Sequence, residues 1–187
     1  GANVTAINFT AQAASIAVDV NVSKDQSTKS TTVATAAFST KSTNELLLAF
    51  VAATASLSGT NTTVSSVTGG GLPWVLVRRT NIQRGTAEIW RTFAPATLTN
   101  VTVSATLSQN VTSSMTVMSF TGVNTTGISG SGAIGATGTG NANPGAPTAS
   151  LVTTKANSLV IGVGNDWDKA TARTVGANQT LVHQYLA

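Results

Sequence analysis

The sequence predicts an all-β fold: an antiparallel, jelly-roll-like β-sandwich of roughly ten strands behind an extended N-terminal arm. Three observations predict it. Apolar and polar residues alternate with period two along most of the chain, as in Ile16-Ala17-Val18-Asp19-Val20-Asn21-Val22, where four branched side chains share one face. Only 9% of the 187 residues are charged, against a usual figure of about 25%. Thr, Ser and Asn supply the missing polarity, and Thr and Val suit a pleated surface better than a helix. Finally, no long window carries the 3.6-residue apolar stripe of an amphipathic helix.

The elements follow in order. Residues 1–14 carry Val4, Ile7 and Phe9 ahead of the first clean strand and read as the arm or an extra edge strand. Residues 15–187 then form one domain, as the length allows. Strands are expected at 16–22, 32–38, 45–53, 74–80, 85–94, 100–107 and 113–121, and later at 148–153, 158–165 and 181–186. Residues 45–53 are apolar on both faces and read as a central strand. Gly69-Gly70-Gly71-Leu72-Pro73 and Gln83-Arg84-Gly85 punctuate as turns, and Ser108-Gln109-Asn110 is read as another. A long Gly-rich loop spans 122–147. The chain stops within the 181–186 strand, so the C-terminal strand is expected to be incomplete.

Composition excludes several function classes. The chain has no Cys, hence no disulfide framework, thiolate nucleophile or Cys-based zinc site. A net charge of +4 without a basic stripe interleaved with aromatic readers argues against nucleic acid as a partner. No apolar run approaches the ~20 residues of a helical membrane span.

Catalytic signatures are weak. Gly130-Ser131-Gly132-Ala133-Ile134-Gly135 matches G-x-G-x-x-G, but Gly138, Gly140, Pro144 and Pro147 follow where a dinucleotide site needs a helix. The single histidine, His183, follows Asp166 and Asp168, yet no G-x-S-x-G elbow is present. The six acids are Asp19, Asp25, Glu45, Glu88, Asp166 and Asp168, and spacing selects no catalytic pair among them. The expectation is therefore a protein that is not an enzyme and needs no cofactor.

Three groups are candidates for binding. Asn165, Asp166 and Asp168 form the densest cluster of oxygen ligands, suited to Ca²⁺. The alternative is a polar turn with Asp168 near Lys169 or Arg173. Among the tryptophans, Trp74 is expected in the core. Trp90, alternating with Glu88 and Thr92, is expected to face outward, and Trp167, flanked by acids, to face a ligand. Arg78, Arg79, Arg84, Glu88 and Arg91 fall on one expected hairpin and read as an ionic surface, either protecting and solubilising the sheet or binding an anion or docking a subunit. Eight N-x-S/T sequons occur, at Asn3, Asn8, Asn21, Asn61, Asn100, Asn110, Asn124 and Asn178.

Several ordered phrases resemble a loosely defined family of bacterial extracellular modules. They are Asn44-Glu45-Leu46-Leu47-Leu48-Ala49-Phe50-Val51, Gly70-Gly71-Leu72-Pro73-Trp74-Val75-Leu76-Val77, Gly85-Thr86-Ala87-Glu88-Ile89-Trp90-Arg91, Met115-Thr116-Val117-Met118-Ser119-Phe120-Thr121-Gly122-Val123 and Ala156-Asn157-Ser158-Leu159-Val160-Ile161-Gly162-Val163. The resemblance implies a jelly-roll-like sandwich within a large secreted or cell-surface protein. It brings no catalytic residues.

The expected function is an extracellular structural or adhesive module, a subunit or repeat of a surface fibre or adhesin. Assembly would proceed by strand addition, with Val4, Ile7, Phe9, Ile16, Val18, Val20 and Val22 as donor side chains. Its partners would be further copies or neighbouring domains of the same surface protein. The alternative is a carbohydrate-binding module that uses Trp90, Trp167 and the Asp cluster, with or without Ca²⁺.

Overall fold

Alternation in the first half of the chain becomes strand wherever a neighbouring edge is free to receive it. The computed structural model describes residues 15–56 and 61–186; the arm, with Val4, Ile7 and Phe9, lies outside the described residues. Among those residues the strands are β1 (Ala17–Ala34), β2 (Glu45–Ala53), β3 (Val64–Gly69), β4 (Val75–Thr80), β5 (Thr86–Ala94) and β6 (Val103–Thr121). They form one all-antiparallel, six-stranded sheet in the order β1-β6-β2-β5-β4, with β3 paired to β6.

Two pairs of expected strands are single long ones. Residues 16–22 and 32–38 merge in β1, and 100–107 and 113–121 merge in β6. The intervening stretches 23–31 and 108–112 hold Ser, Thr, Asn and Gln but neither Gly nor Pro, so nothing forces the chain to reverse. Irregularity is absorbed instead by register shifts in β1 between Val18 and Val20, Gln26 and Ser30, and Ser30 and Thr32. The long strands serve different neighbours along their length. β6 lies between β1 and β3 near Ala105, and between β1 and β2 near Val117.

β2 is buried on both faces, as its sequence requires. Leu47, Ala49, Val51 and Ala53 join Val33, Val64, Val67, Trp90, Val103, Ala105, Met115 and Val117 in the main core. Leu46, Leu48 and Phe50 point the other way and join Met118 and Phe120 in a second cluster. Each fully buried aliphatic side chain contributes about 1.5–3 kcal/mol, so β2 carries an unusual share of the stability. Trp74 packs against the main core and donates Nε1–H to the Gly69 carbonyl at 3.2 Å.

Chain past β6 covers the second cluster. It crosses in a 3₁₀ turn (Ile128–Ala133), where φ at Gly130 is +77° and a Cβ there would lie 2.6 Å from Leu46 Cδ1, so any other residue would be strained and would have to push the buried Leu46 aside. Val123, Ala133, Ile134, Ile161 and Val163 then pack on the cluster. The strands expected at 148–153, 158–165 and 181–186 do not form: these residues have no strand assignment. Residues 123–163 meet the sheet through side chains on its face, where no row of backbone amides is on offer. Leu151, Val152, Leu159, Val160, Leu181, Val182 and Leu186 consequently stay partly exposed.

Candidate functional site

The arginine-rich hairpin divides into an interior and an exterior part. On β5, Glu88, Trp90, Thr92 and Ala94 point into the main core, whereas Ile89, Arg91 and Phe93 point to the covered face. Trp90, expected to face outward, is only 9% exposed, and Glu88 is 0% exposed. The reason is a set of five donors around the Glu88 carboxylate. Oε1 accepts from the Val64 amide at 2.7 Å, Arg79 Nε at 2.7 Å and the Thr86 hydroxyl at 3.0 Å. Oε2 accepts from Arg79 Nη2 at 3.0 Å and Trp90 Nε1 at 2.9 Å. Arg79 Nη2 also donates to the Val64 carbonyl at 2.7 Å, which ties β3 to the β4–β5 hairpin. A buried carboxylate with this many donors needs no water. Arg78 and Arg84 remain on the exposed surface.

The turn after Val163 joins three of the other candidates. The Arg84 guanidinium lies 5.3 Å from the centroid of the half-buried Trp167 ring, a cation–π distance. Asp166 Oδ1 accepts the backbone N–H groups of Asp168 at 3.1 Å and Lys169 at 3.2 Å, while Oδ2 pairs with Arg173. Burial raises the Asp166 pKa, but the two amides and Arg173 outweigh it and hold the carboxyl below its ordinary range. Its oxygens are thus committed to a turn and an arginine. Among the described residues no group of three or more His, Cys, Asp or Glu converges on a point that would hold a metal. Asn165 is half-buried close to Gly85, with its amide 2.3 Å from where a Cβ on that glycine would sit.

His183 lies 2.9 Å from Asp25 Oδ1, which also accepts from the Ser114 hydroxyl at 2.8 Å. The carboxylate stands between serine and histidine, whereas activating a serine requires the histidine in the middle. A second acidic site involves Asp19 and Glu45. Asp19 accepts the Lys41 backbone N–H at 2.7 Å and lies 3.6 Å from its ammonium. Glu45 Oε1 accepts the Ser42 amide at 3.0 Å, while Oε2 is buried without a partner. Burial is the largest influence on Glu45, and Asp19 adds to it; together they raise the carboxyl above its ordinary range against the Ser119 hydroxyl and the Ser42 amide.

The donor residues on β1 are placed on an edge. Among the described residues β1 pairs with β6 on one side and has no strand on the other. Ile16 is 37% and Val18 48% exposed, Val20 is half-buried, and Val22 packs against the main core.

The sequence reading missed the covered face. Between the sheet and the later chain lies an apolar cavity of about 160 Å³, lined by Leu46, Leu48, Phe50, Phe120, Ile134 and Ile161 among others. An adjoining pocket contains Arg91. The available signal was the parity of β5, which puts Arg91 on the side of Ile89 and Phe93.

No family model matches the chain, and no curated protein or solved structure does.

Proposed function

We propose that the chain is a non-enzymatic, extracellular structural or adhesive module, a subunit or repeat of a cell-surface fibre or adhesin assembled by β-strand addition. The open edge of β1 carries this reading. Among the described residues this 18-residue strand is paired along one side only, and Asp19 is the sole charge in residues 15–23. Natural sheets usually guard such an edge with charge or cover. Because Ala17 onward is already paired to β6 within the chain, the donated segment narrows to residues 1–14, with Val4, Ile7 and Phe9, and residues 16–22 become its root. The paired first half and covered second face fit a jelly-roll-like sandwich to which an extra strand is added. Head-to-tail repetition of the contact gives an open filament. Electron microscopy and sedimentation of the full chain test it. Filaments lost on removing residues 1–14 support the reading, and a monodisperse monomer at high concentration overturns it.

One observation favours a second reading, a carbohydrate-binding module. Trp167 is half-buried beside the exposed Arg84 and Asp166, an aromatic set among polar groups that a sugar ring could stack against. Glycan-array binding lost in Trp167→Ala supports it, and no glycan binding with or without Ca²⁺ removes it.

A further inference from the structure

The Arg91 guanidinium has no hydrogen-bond or ion-pair partner among the described residues, and its Nε is buried. The acid nearest on its own strand, Glu88, points to the opposite face and is matched by Arg79. Arg91 as a whole is half-buried, and a buried donor left without a partner is costly, so the position favours an anion that no described residue provides.

The surroundings narrow the choice of anion. Arg91 lines a pocket of about 250 Å³ with Leu76, Val77, Ser131, Ile134 and Thr137. Val77, Ile134 and Thr137 also line the apolar cavity of about 160 Å³, so the two spaces adjoin. Cavities of about 150 Å³ lined by Leu, Ile and Phe take up benzene. The combined site therefore offers a guanidinium and two hydroxyls at one end and room for a benzene-sized body at the other. Guanidinium binds a planar carboxylate through two parallel hydrogen bonds. A single negative charge balances the single arginine, and the apolar walls favour it over a doubly charged, strongly hydrated phosphate.

We propose that Arg91, with Ser131 and Thr137, and the adjoining cavity bind a small organic carboxylate with an apolar body about the size of a benzene ring. The carboxylate pairs with Arg91, and the body enters between Phe50, Phe120, Ile134 and Ile161. The site lies on the covered face, and Ile16, at the root of β1, lines its apolar end.

Titration of the full chain with 3-phenylpropionate, followed by amide NMR shifts, tests the proposal. The expected result is saturable binding with shifts concentrated at Arg91, Ile134 and Ile161. The alcohol of the same skeleton, 3-phenylpropan-1-ol, should bind about tenfold to a hundredfold more weakly through loss of the charged hydrogen bonds, and propionate should not saturate at all. Arg91→Met should lower 3-phenylpropionate affinity to that of the alcohol, with Arg91→Lys between. Absence of saturable binding at millimolar concentration overturns the proposal. So does equal affinity for acid and alcohol in the wild-type chain, a result that holds whether or not the Arg91 variants fold.

Discussion

Arg79 meets Glu88 through two bonds, Nε to Oε1 at 2.7 Å and Nη2 to Oε2 at 3.0 Å. The carboxylate is wholly buried and the guanidinium 29% exposed. Removing only the arginine leaves an uncompensated interior charge. Arg79→Met is expected to cost about 3–5 kcal/mol, toward the lower end because Arg79 reaches solvent. The double variant Arg79→Met/Glu88→Met should recover most of that loss, because charge and counter-charge leave together. Urea unfolding of the three proteins measures both effects.

Glu45 imposes a pH dependence of known sign. Its carboxyl titrates above the ordinary glutamate range in the folded chain, so the folded state holds the proton more tightly than the unfolded one. The stabilisation is therefore complete below the unfolded pKa and is lost as pH rises from there through the raised folded value. Glu45→Gln keeps an acceptor for the Ser42 amide and cannot ionise. The wild-type chain should lose stability relative to this variant as pH climbs across that window, measured by urea midpoints at successive pH values. A constant difference across the window would sink the assignment.

Gly122 and Gly71 separate backbone strain from crowding. Both have positive φ, +70° and +66°, but a Cβ on Gly122 would lie 2.3 Å from the Ser15 carbonyl oxygen, while one on Gly71 meets nothing within 4 Å. Gly71→Ala should cost only the left-handed strain, about 1–2 kcal/mol. Gly122→Ala should cost about 1–3 kcal/mol more, because one backbone must move off another. It should also loosen the entry into β1, visible as faster amide exchange at Ala17 and Val18.

Val18 is the place to test the open edge without harming the fold. It is 48% exposed, so Val18→Lys should change stability by no more than about 0.5 kcal/mol. The added charge guards the edge and should shift the sedimentation profile from polymer to monomer. Unchanged polymer would take β1 out of the contact.

Much of the first half was legible because alternation and turn chemistry agree there. Residues 45–53 and 85–94 read as strands and are strands, and the Gly69-Gly70-Gly71 stretch ends β3 where a Cβ on Gly69 would meet the Thr102 carbonyl oxygen at 2.4 Å. The side to which a strand face turns was not legible. Parity puts Glu88 with Trp90, but the inward choice also rests on Arg79, one strand away, and on the Val64 amide, which spacing does not reveal. Polar Ser and Asn between apolar runs were overread as turns, since without Gly or Pro they extend β1 and β6 equally well. The later alternating segments failed for another reason. A period of two describes a chain able to pair, and pairing requires an edge that the covered sheet face does not supply. Arg91 was read with the other arginines as one ionic surface; its place under the later chain stayed hidden because a pocket formed where a Gly-rich loop lies on a strand leaves no fixed spacing in sequence.

Burial of β2 on two sides makes the molecule a stack of unequal tiers. The main core is enclosed by long ladders, while the second cluster is roofed by chain that makes side-chain contacts without joining a ladder. Such a roof lifts at a lower free energy than the ladders beneath it. Opening it would bare Leu46, Leu48, Phe50 and Phe120 as one continuous apolar strip while Leu47, Ala49 and Val51 stayed sealed. In that partly opened state the protein would keep its sheet and gain an adhesive face, so the same strand that anchors the native fold would set where one molecule first sticks to another under stress.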